Sequence, residues 1–487
     1  MSDVGEVVIK TAPSSADPGT GEGPAGAGGD EERGEWGSKL GFIFAAIGSA
    51  IGFGSLARFP FVTADNGGAA FVLIYAGIML VVGVPMMMAE FAIGRASRRN
   101  PVGAFAKLRD KAKSKWRAAG FFYLALTVWL LSWYAVTVGW VLRYVFSSTT
   151  GSYFADPTTY FANIQEGPAA LLFTVIVAVL TFLVVGRGIE GGIEKLNLVM
   201  IPSIFVILVG LTIYAATLDG VGAGYEFYLS PDWGEVSAGT IKAAVAQAFF
   251  SLSLGSGAML VYASYIGKQE NLASNALTIS VSTLGFAFLA GLLVFPLLAG
   301  FDLLGSAQPG IGLIFGPLPA AFASLGAPLG QVVGTTFFVA TFFAAFTSAV
   351  ALLEPSVSYL CDEFEIPRRK ATFLMAEIVI GLAILPSLST RFLNLEAGSG
   401  TDVLILLGGV LVALFIGLHM KDRAREEMDA GEGRLFIGRW VNPVVRYAMP
   451  VLLGVLTLVA LFGNPEILGL EASEGFVHEL AAWFANT

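Results

Sequence analysis

Glycines at 48, 52 and 54 sit in the middle of one long apolar stretch, GFIFAAIGSAIGFGSLARFP. Glycines at 255 and 257 sit in the middle of another, AVAQAFFSLSLGSGAMLVYASY. Central glycines in an apolar helix mean either close helix packing or a break in the helix. Gly-x-Gly with serine beside it in both stretches favours the break. A broken helix exposes unpaired N–H groups on one half and unpaired carbonyls on the other, and these attract an anionic group and a cation respectively. A zwitterion whose carboxylate and ammonium lie one carbon apart suits such ends, and sodium suits carbonyls and hydroxyls. Little else in the chain carries chemistry. One cysteine, Cys361, and two histidines, His419 and His478, give no disulfide framework and no metal cluster. Cys361 reads as an inert packing residue. A nucleophile with a histidine base and a phosphate-binding loop are both missing, which argues against an enzyme.

The elements that hold these stretches are membrane spans. Of 487 residues, 55% are hydrophobic and 13% charged, about half the charge content of an average soluble domain. Apolar runs of roughly 20 residues, long enough to cross a bilayer core about 30 Å thick, recur along the chain. They are continuous rather than alternating, which excludes a barrel. Spans are predicted at 39–62, 68–93, 118–146, 168–186, 193–217, 238–265, 272–299, 331–361, 370–388, 402–420 and 441–463. The glycine-broken stretches are therefore the first and sixth of eleven. Two inverted five-helix repeats, each opening with a discontinuous helix that bears the binding site, would give this spacing.

Charge supplies an orientation. Residues 1–35 hold eight acids and two bases, six of the nine net negative charges, in a Gly-, Pro-, Ser- and Ala-rich leader without an apolar run. This segment is predicted to be a disordered tail with no signal-peptide core. Nine bases from Arg95 to Arg117 lie between spans two and three, and Arg187, Lys195, Lys268, Arg368, Arg369, Lys370 and Lys421 fall on the same side. Loops 149–166, 218–237 and 302–330 carry acids but no Lys or Arg, as does the tail after 463. Lysine and arginine mark the cytoplasmic side, so the amino terminus is expected in the cytoplasm and the carboxyl terminus outside a plasma or inner membrane. The odd span count agrees.

The stretch from Trp36 to Pro60, with ADNGGAAF at 64–71, MAEFAIGR at 88–95, SWYAVTVGW at 132–140, GGIEKLNLVMIP at 191–202 and FTSAVALLEPS at 346–356, resembles the neurotransmitter:sodium symporter family. The likeness is to its bacterial and archaeal amino-acid carriers and covers about residues 33–420. It implies an all-α polytopic fold with a five-plus-five inverted repeat and broken helices one and six. Residues 36–420 would be the ten-helix core, and 421–487 a linker, an eleventh span and an outer tail. The activity implied is sodium-coupled import of a neutral, hydrophobic amino acid by alternating access. An amino-acid sensor on the same fold, binding without transport, is the alternative; nucleic acid is no part of the reading, and oligomeric state stays open.

On the family pattern, the substrate carboxylate meets N–H groups near Phe53 and Gly54 and the hydroxyl of Tyr134. The ammonium meets carbonyls of Ala50, Phe250 and Ser251 and the hydroxyl of Ser253. Gly52 stands where the family's monoamine carriers place an aspartate, which implies a substrate with its own carboxylate. Side-chain selectivity falls to Leu130, Phe250, Ser256 and Leu352, with Trp133 beside them. Ser256 replaces the phenylalanine of a leucine carrier, so a substrate at least as large as leucine is expected, with a hydroxyl available to a polar group.

One or two sodium ions are implied, without chloride. The second site maps to carbonyls of Gly48, Ile51 and Ala344 with hydroxyls of Thr347 and Ser348. The first maps to Ala50, Ser55, Ser251 and Ser282, where serines replace the usual amides and weaken the site; Phe286 takes the place of a chloride-binding serine. Arg33 and Asp362 match an inner ion pair supported by Trp36 and Tyr265. Arg58 belongs to the outer vestibule, with Phe250 as lid and either Glu396 or Asp402 as partner. Glu90 is expected to bond the unwound part of span six, and Glu354 to form a local salt bridge. Gly192 and Pro202 mark a segment of span five that can unwind.

Overall fold

Lipid offers no partners to backbone polar groups, so the apolar runs close their hydrogen bonds along their own length as helices. In the computed structural model, the described residues are 35–109, 114–304, 312–433, 435–463 and 475–485. They contain no strand. Among the described residues, ten helices are long and apolar enough to cross a membrane: Lys39–Asp65, Ala69–Ser97, Arg117–Thr150, Pro168–Val185, Ile189–Ala215, Leu272–Gly300, Leu329–Phe364, Arg368–Leu388, Thr390–Met420 and Gly438–Phe462. Between the fifth and seventh predicted spans lies a broken pair, Ala238–Ser251 and Ala258–Ala263, which makes the eleventh crossing. The leader through residue 34 lies outside the described residues.

Burial separates the layers. The most apolar window of span one is 89% buried and that of span five only 28%, so span one is the core of the protein while span five shows most of its surface outward. Span one lies against spans five, seven and eight, and spans three and eight share the largest helix contact. Each run of five spans opens with a broken helix, as an inverted repeat requires.

Two stretches differ from the sequence reading. Span ten begins at Thr390, not near 402, because its first turns hold Arg391, Asn394 and Glu396 and kink at Gly398, which lowers their hydropathy. The segment 302–330, expected as a loop, contains helices Gly312–Phe315 and Pro317–Ser324. Phe315 is fully buried, its ring 4.9 Å from Phe161 and 6.5 Å from Phe53, so this connection plugs into the bundle above span one. Arg58, Arg143, Lys242 and Arg391 stand toward the end of the bundle opposite the basic loops, exceptions to the charge bias.

Candidate functional site

Span one is helical from Lys39 to Phe53, but Gly52 adopts φ +29° and ψ −160°, outside helical space. A β-carbon there would lie 2.3 Å from Ser348 Oγ, so only glycine fits the break on both conformational and steric grounds. The chain resumes as a wide π-turn, Gly54–Arg58. In span six the helix stops at Ser251, and Ser253, Gly255 and Gly257 take φ of +52°, +72° and +84°. A positive φ at serine costs on the order of 1–3 kcal/mol and persists only where its surroundings fix it. Here Ser253 Oγ donates to the Ser49 carbonyl at 2.8 Å and Ser49 Oγ reaches Ser253 Oγ at 3.1 Å, tying one break to the other.

Two buried polar side chains hold the breaks open. Glu90 Oε1 accepts from the Gly255 N–H at 2.7 Å, the bond expected from sequence. Gln247 donates to the Gly54 carbonyl at 2.8 Å and to Ser251 Oγ at 2.9 Å. Gln247 was not singled out in the sequence; a glutamine deep in an apolar helix was the available signal. Span ten presses close, since a β-carbon on Gly255 would meet the Ile405 carbonyl at 2.0 Å.

Between the breaks lies a cavity of about 40 Å³. Ala50, Phe53, Gly54, Leu130, Tyr134, Phe250, Ser253, Ser256 and Leu352, nine of the ten substrate positions named from sequence, line it. Ser251, the tenth, is buried just behind it. Trp133, Phe249, Leu254 and Ile405 add apolar wall. The Phe53 N–H donates to the Tyr134 hydroxyl at 3.0 Å, so the tyrosine oxygen and the helix end face the same point. Ser256 does not offer a free hydroxyl: it donates to the Ser253 carbonyl at 2.7 Å and accepts from the Ala258 N–H at 3.3 Å. Its role in the loop follows from its place between two left-handed glycines, where the turn needs its own cap.

Below the break, oxygen atoms gather. The Thr347 hydroxyl donates to the carbonyls of Gly48 at 2.9 Å and Ala344 at 2.8 Å, and Ser348 Oγ to those of Gly48 at 3.1 Å and Ser49 at 2.8 Å. The Ile51 carbonyl accepts from the Gly54 N–H one turn on. These hard, neutral oxygens are a donor set for a monovalent cation. Of the other group, Ala50, Ser55 and Ser251 are buried at the breaks, and Ser55 Oγ finds no partner among the described residues. Ser282 is only half-buried: the inward stripe of span seven runs Ile279, Ser280, Thr283 and Ala287, and a step of one residue turns about 100° away from it.

The cavity is closed on both sides. Phe250 stacks on Trp133 at 6.4 Å, and the Arg58 guanidinium stands 4.7 Å above the Phe250 ring. Arg58 pairs with Asp402 at 2.8 and 3.1 Å, which decides between the two candidate partners. Glu396, six residues earlier on the same span, is buried, and its Oε2 has no partner among the described residues. At the basic end, Trp36 Nε1 donates to the Tyr262 carbonyl at 3.0 Å, and the Tyr265 hydroxyl to Glu354 at 2.9 Å. Glu354 also pairs with Arg368, the expected local salt bridge. Asp362 accepts from the backbone and side chain of Asn100 at 3.0 and 3.1 Å; its expected partner Arg33 lies outside the described residues. No group of three or more His, Cys, Asp or Glu side chains suited to a metal occurs among the described residues.

The pattern of the Sodium:neurotransmitter symporter family matches residues 33–157 and 162–409. The chain belongs to this family. A sodium-dependent transporter of Methanocaldococcus jannaschii is 34% identical over 447 residues, covering 87% of this chain and 89% of that protein. The transporter YhdH of Bacillus subtilis is 33% identical over 445 residues, covering 87% and 97%. The crystal structure of MhsT in complex with L-phenylalanine superposes with a TM-score of 0.78 at 35% identity, covering 88% of this chain and 99% of that one. This chain is thus a multi-pass, sodium-dependent membrane transporter, and its family consists of symporters rather than enzymes.

Proposed function

We propose that this transporter imports a neutral, hydrophobic amino acid together with sodium by alternating access. The observation that carries the reading is the meeting of two broken helices around a cavity with apolar walls and two polar poles. A carboxylate fits the pole at the Tyr134 hydroxyl once the Phe53 N–H turns from that oxygen and the Gly54 N–H from the Ile51 carbonyl. An ammonium fits the carbonyls of Ala50, Phe250 and Ser251 and the hydroxyl of Ser253. Leu130, Phe250, Leu352 and Ile405 offer the side chain hydrocarbon, worth about 0.8 kcal/mol per buried methylene, and Trp133 adds an indole whose buried Nε1 has no partner among the described residues. MhsT, similar over nearly its whole length, was solved with phenylalanine, which supports a large substrate. A cavity of about 40 Å³ has room for only a few waters, so a bulky side chain enters by pushing Phe250 and Trp133 outward.

Sodium takes the oxygens of Gly48, Ile51, Ala344, Thr347 and Ser348. The set of Ala50, Ser55 and Ser251 is weaker and lacks Ser282 at its rim, so one ion per cycle is the expected coupling, without chloride. The Arg58–Asp402 pair over Phe250 is the outer gate, and the cluster around Trp36, Tyr265 and Asp362 is the inner, cytoplasmic one. The ligands can shift this two-state equilibrium only by binding its two states differently, and closure of the outer gate over Phe250 requires that they bind the closed form more tightly.

Uptake of radiolabelled neutral amino acids into proteoliposomes under an inward sodium gradient tests the reading, with potassium as control. Accumulation that collapses when the gradient is dissipated, with a Hill coefficient near one in sodium, is the expected result. Saturable binding without accumulation in sealed vesicles would overturn it in favour of a sensor.

A further inference from the structure

Arg95 opens the run of bases between spans two and three, yet it belongs to the last turn of span two and is 3% exposed. A guanidinium out of water needs acceptors for its N–H groups and a charge to balance its own. All three nitrogens are engaged: Nε donates to Glu427 Oε1 at 2.5 Å, Nη2 to the Glu427 carbonyl, and Nη1 to the Glu270 carbonyl at 2.6 Å. Glu427 lies in a short helix, Asp422–Asp429, of the linker between spans ten and eleven, and the fully buried Ala424 and Met428 share its face. Glu270 lies in the loop that joins the inner half of span six to span seven. The linker then runs along that loop. The Glu432 N–H donates to the Gln269 carbonyl at 2.7 Å. Asn271 Nδ2 donates to the Leu435 carbonyl at 3.1 Å, while its Oδ1 caps span seven by accepting from the Ser274 N–H at 2.8 Å. Gly431 takes φ +108°, and a β-carbon there would lie 2.3 Å from the Glu270 carbonyl oxygen, so linker and loop touch backbone to backbone.

The loop has little order of its own. Across residues 267–270 its one internal backbone bond among the described residues is Glu270 N–H to the Gly267 carbonyl, at 3.3 Å. The element it terminates also needs support, since Ala258–Ala263 is six residues long, under two turns, and too short to persist alone. Span two lines that element along its length. Glu90 holds the Gly255 N–H toward the cavity, a β-carbon on Gly94 would meet the Leu260 carbonyl at 2.1 Å, and Arg95 reaches the loop at the far end. We propose that the linker between spans ten and eleven is a strap that holds the inner half of span six in place, with Arg95 as the positioning residue that fastens it. No linker residue lines the cavity. Its part is to fix the carbonyls of Gln269 and Glu270, and through them the short helix whose other end bears the break. A second tie on the loop, Lys39 to Glu270 Oε2 at 3.1 Å, is 51% exposed on the lysine side and contributes little.

Hydrogen exchange of the full chain in lipid nanodiscs tests the strap without transport. Glu427→Ala should speed exchange at residues 258–271 by roughly tenfold, the effect of taking the charged partner from a buried arginine, and leave span three unchanged. Glu427→Gln keeps an acceptor for Arg95 and should recover part of the protection. Gly431→Ala pushes the linker off the Glu270 carbonyl without touching a charge and should loosen the same residues. Lys39→Ala should change them less than about threefold. Loosening confined to the linker helix at 422–429 would overturn the proposal. So would equal loosening at 258–271 by Lys39→Ala, or a rise spread evenly over the chain. If Glu427→Ala does not fold, Gly431→Ala decides: faster exchange at 258–271 supports the strap, and unchanged exchange there refutes it. Failure of sodium-driven uptake would overturn the transport reading and leave this measurement intact.

Discussion

Replacing Gly52 by alanine is the sharpest test of the broken-helix site. At φ +29° an alanine is strained by on the order of 1–3 kcal/mol. Its β-carbon would also stand 2.3 Å from Ser348 Oγ and 3.2 Å from the Tyr134 hydroxyl. Ser348 must then give up its bonds to the Gly48 and Ser49 carbonyls, each worth about 0.5–1.5 kcal/mol. Together this is about 2–6 kcal/mol, or roughly 30- to 20,000-fold in affinity at 1.4 kcal/mol per tenfold. The assay is equilibrium binding of sodium and of a labelled amino acid to purified, monodisperse protein, so that loss of expression is not counted as loss of binding. Gly210→Ala in span five, where an added β-carbon meets nothing within 4 Å, is the matched control and should bind normally. Gly52→Ala with Ser348→Ala relieves the 2.3 Å contact but also deletes the Ser348 bonds, so it should bind no better than Gly52→Ala alone. Affinities within threefold of wild type for the single Gly52→Ala variant would refute the reasoning, because both the strain and the contact would then be fictitious.

Thr347→Ala and Ser348→Ala should each raise the sodium concentration for half-maximal uptake by about tenfold, as loss of one oxygen ligand implies, whereas Ser55→Ala should change it less than threefold. A sodium titration showing the reverse order would move the operative ion to the first site. Arg58 and Asp402 are 18% and 25% exposed, so a double-mutant cycle on uptake should give a coupling of about 0.5–1 kcal/mol, and the same cycle with Glu396 should give none. Glu90→Ala leaves the Gly255 N–H unpaired in a dry place and should destabilise the protein by about 1–3 kcal/mol, with Glu90→Gln recovering most of it. Equal melting temperatures in detergent for those two variants would show that the bond contributes nothing.

The breaks were legible in the sequence because glycine is the one residue whose reason for being there is geometric. Gly52 and Gly255 mark places where no side chain fits, and that is visible without knowing what the side chain would hit. The span count was legible for a similar reason, since lipid leaves an apolar run no alternative to a helix. Span ten started twelve residues early because a polar, kinked beginning is tolerated where other spans cover it, and hydropathy registers only the average. The choice of Asp402 over Glu396 depended on helix phase, which a kink at Gly398 resets. Ser282 depends on the same phase: a single-residue shift in alignment is a rotation of about 100°, and Ser282 stands half-buried between the buried Ser280 and Thr283.

What stayed hidden has a common cause. Gln247 works by reaching the Gly54 carbonyl 193 positions away, Glu194 by reaching the Gly37 N–H 157 positions away, and Phe315 by stacking over Phe53 from a connection that looks like a loop. In each case the partner is a backbone group or a ring, and backbone groups are the same at every residue. A site built from main-chain poles therefore shows in sequence as the residues that permit the backbone to bend, while the residues that hold it bent look like ordinary polar intrusions in apolar helices. Three buried side chains, Glu90, Gln247 and Glu194, are better read as struts for a bent backbone than as ligands in their own right. Glu90 on Gly255, Gln247 on Gly54 and Glu194 on Gly37 all conform: each strut meets the main chain of a glycine at or beside the start or break of a helix.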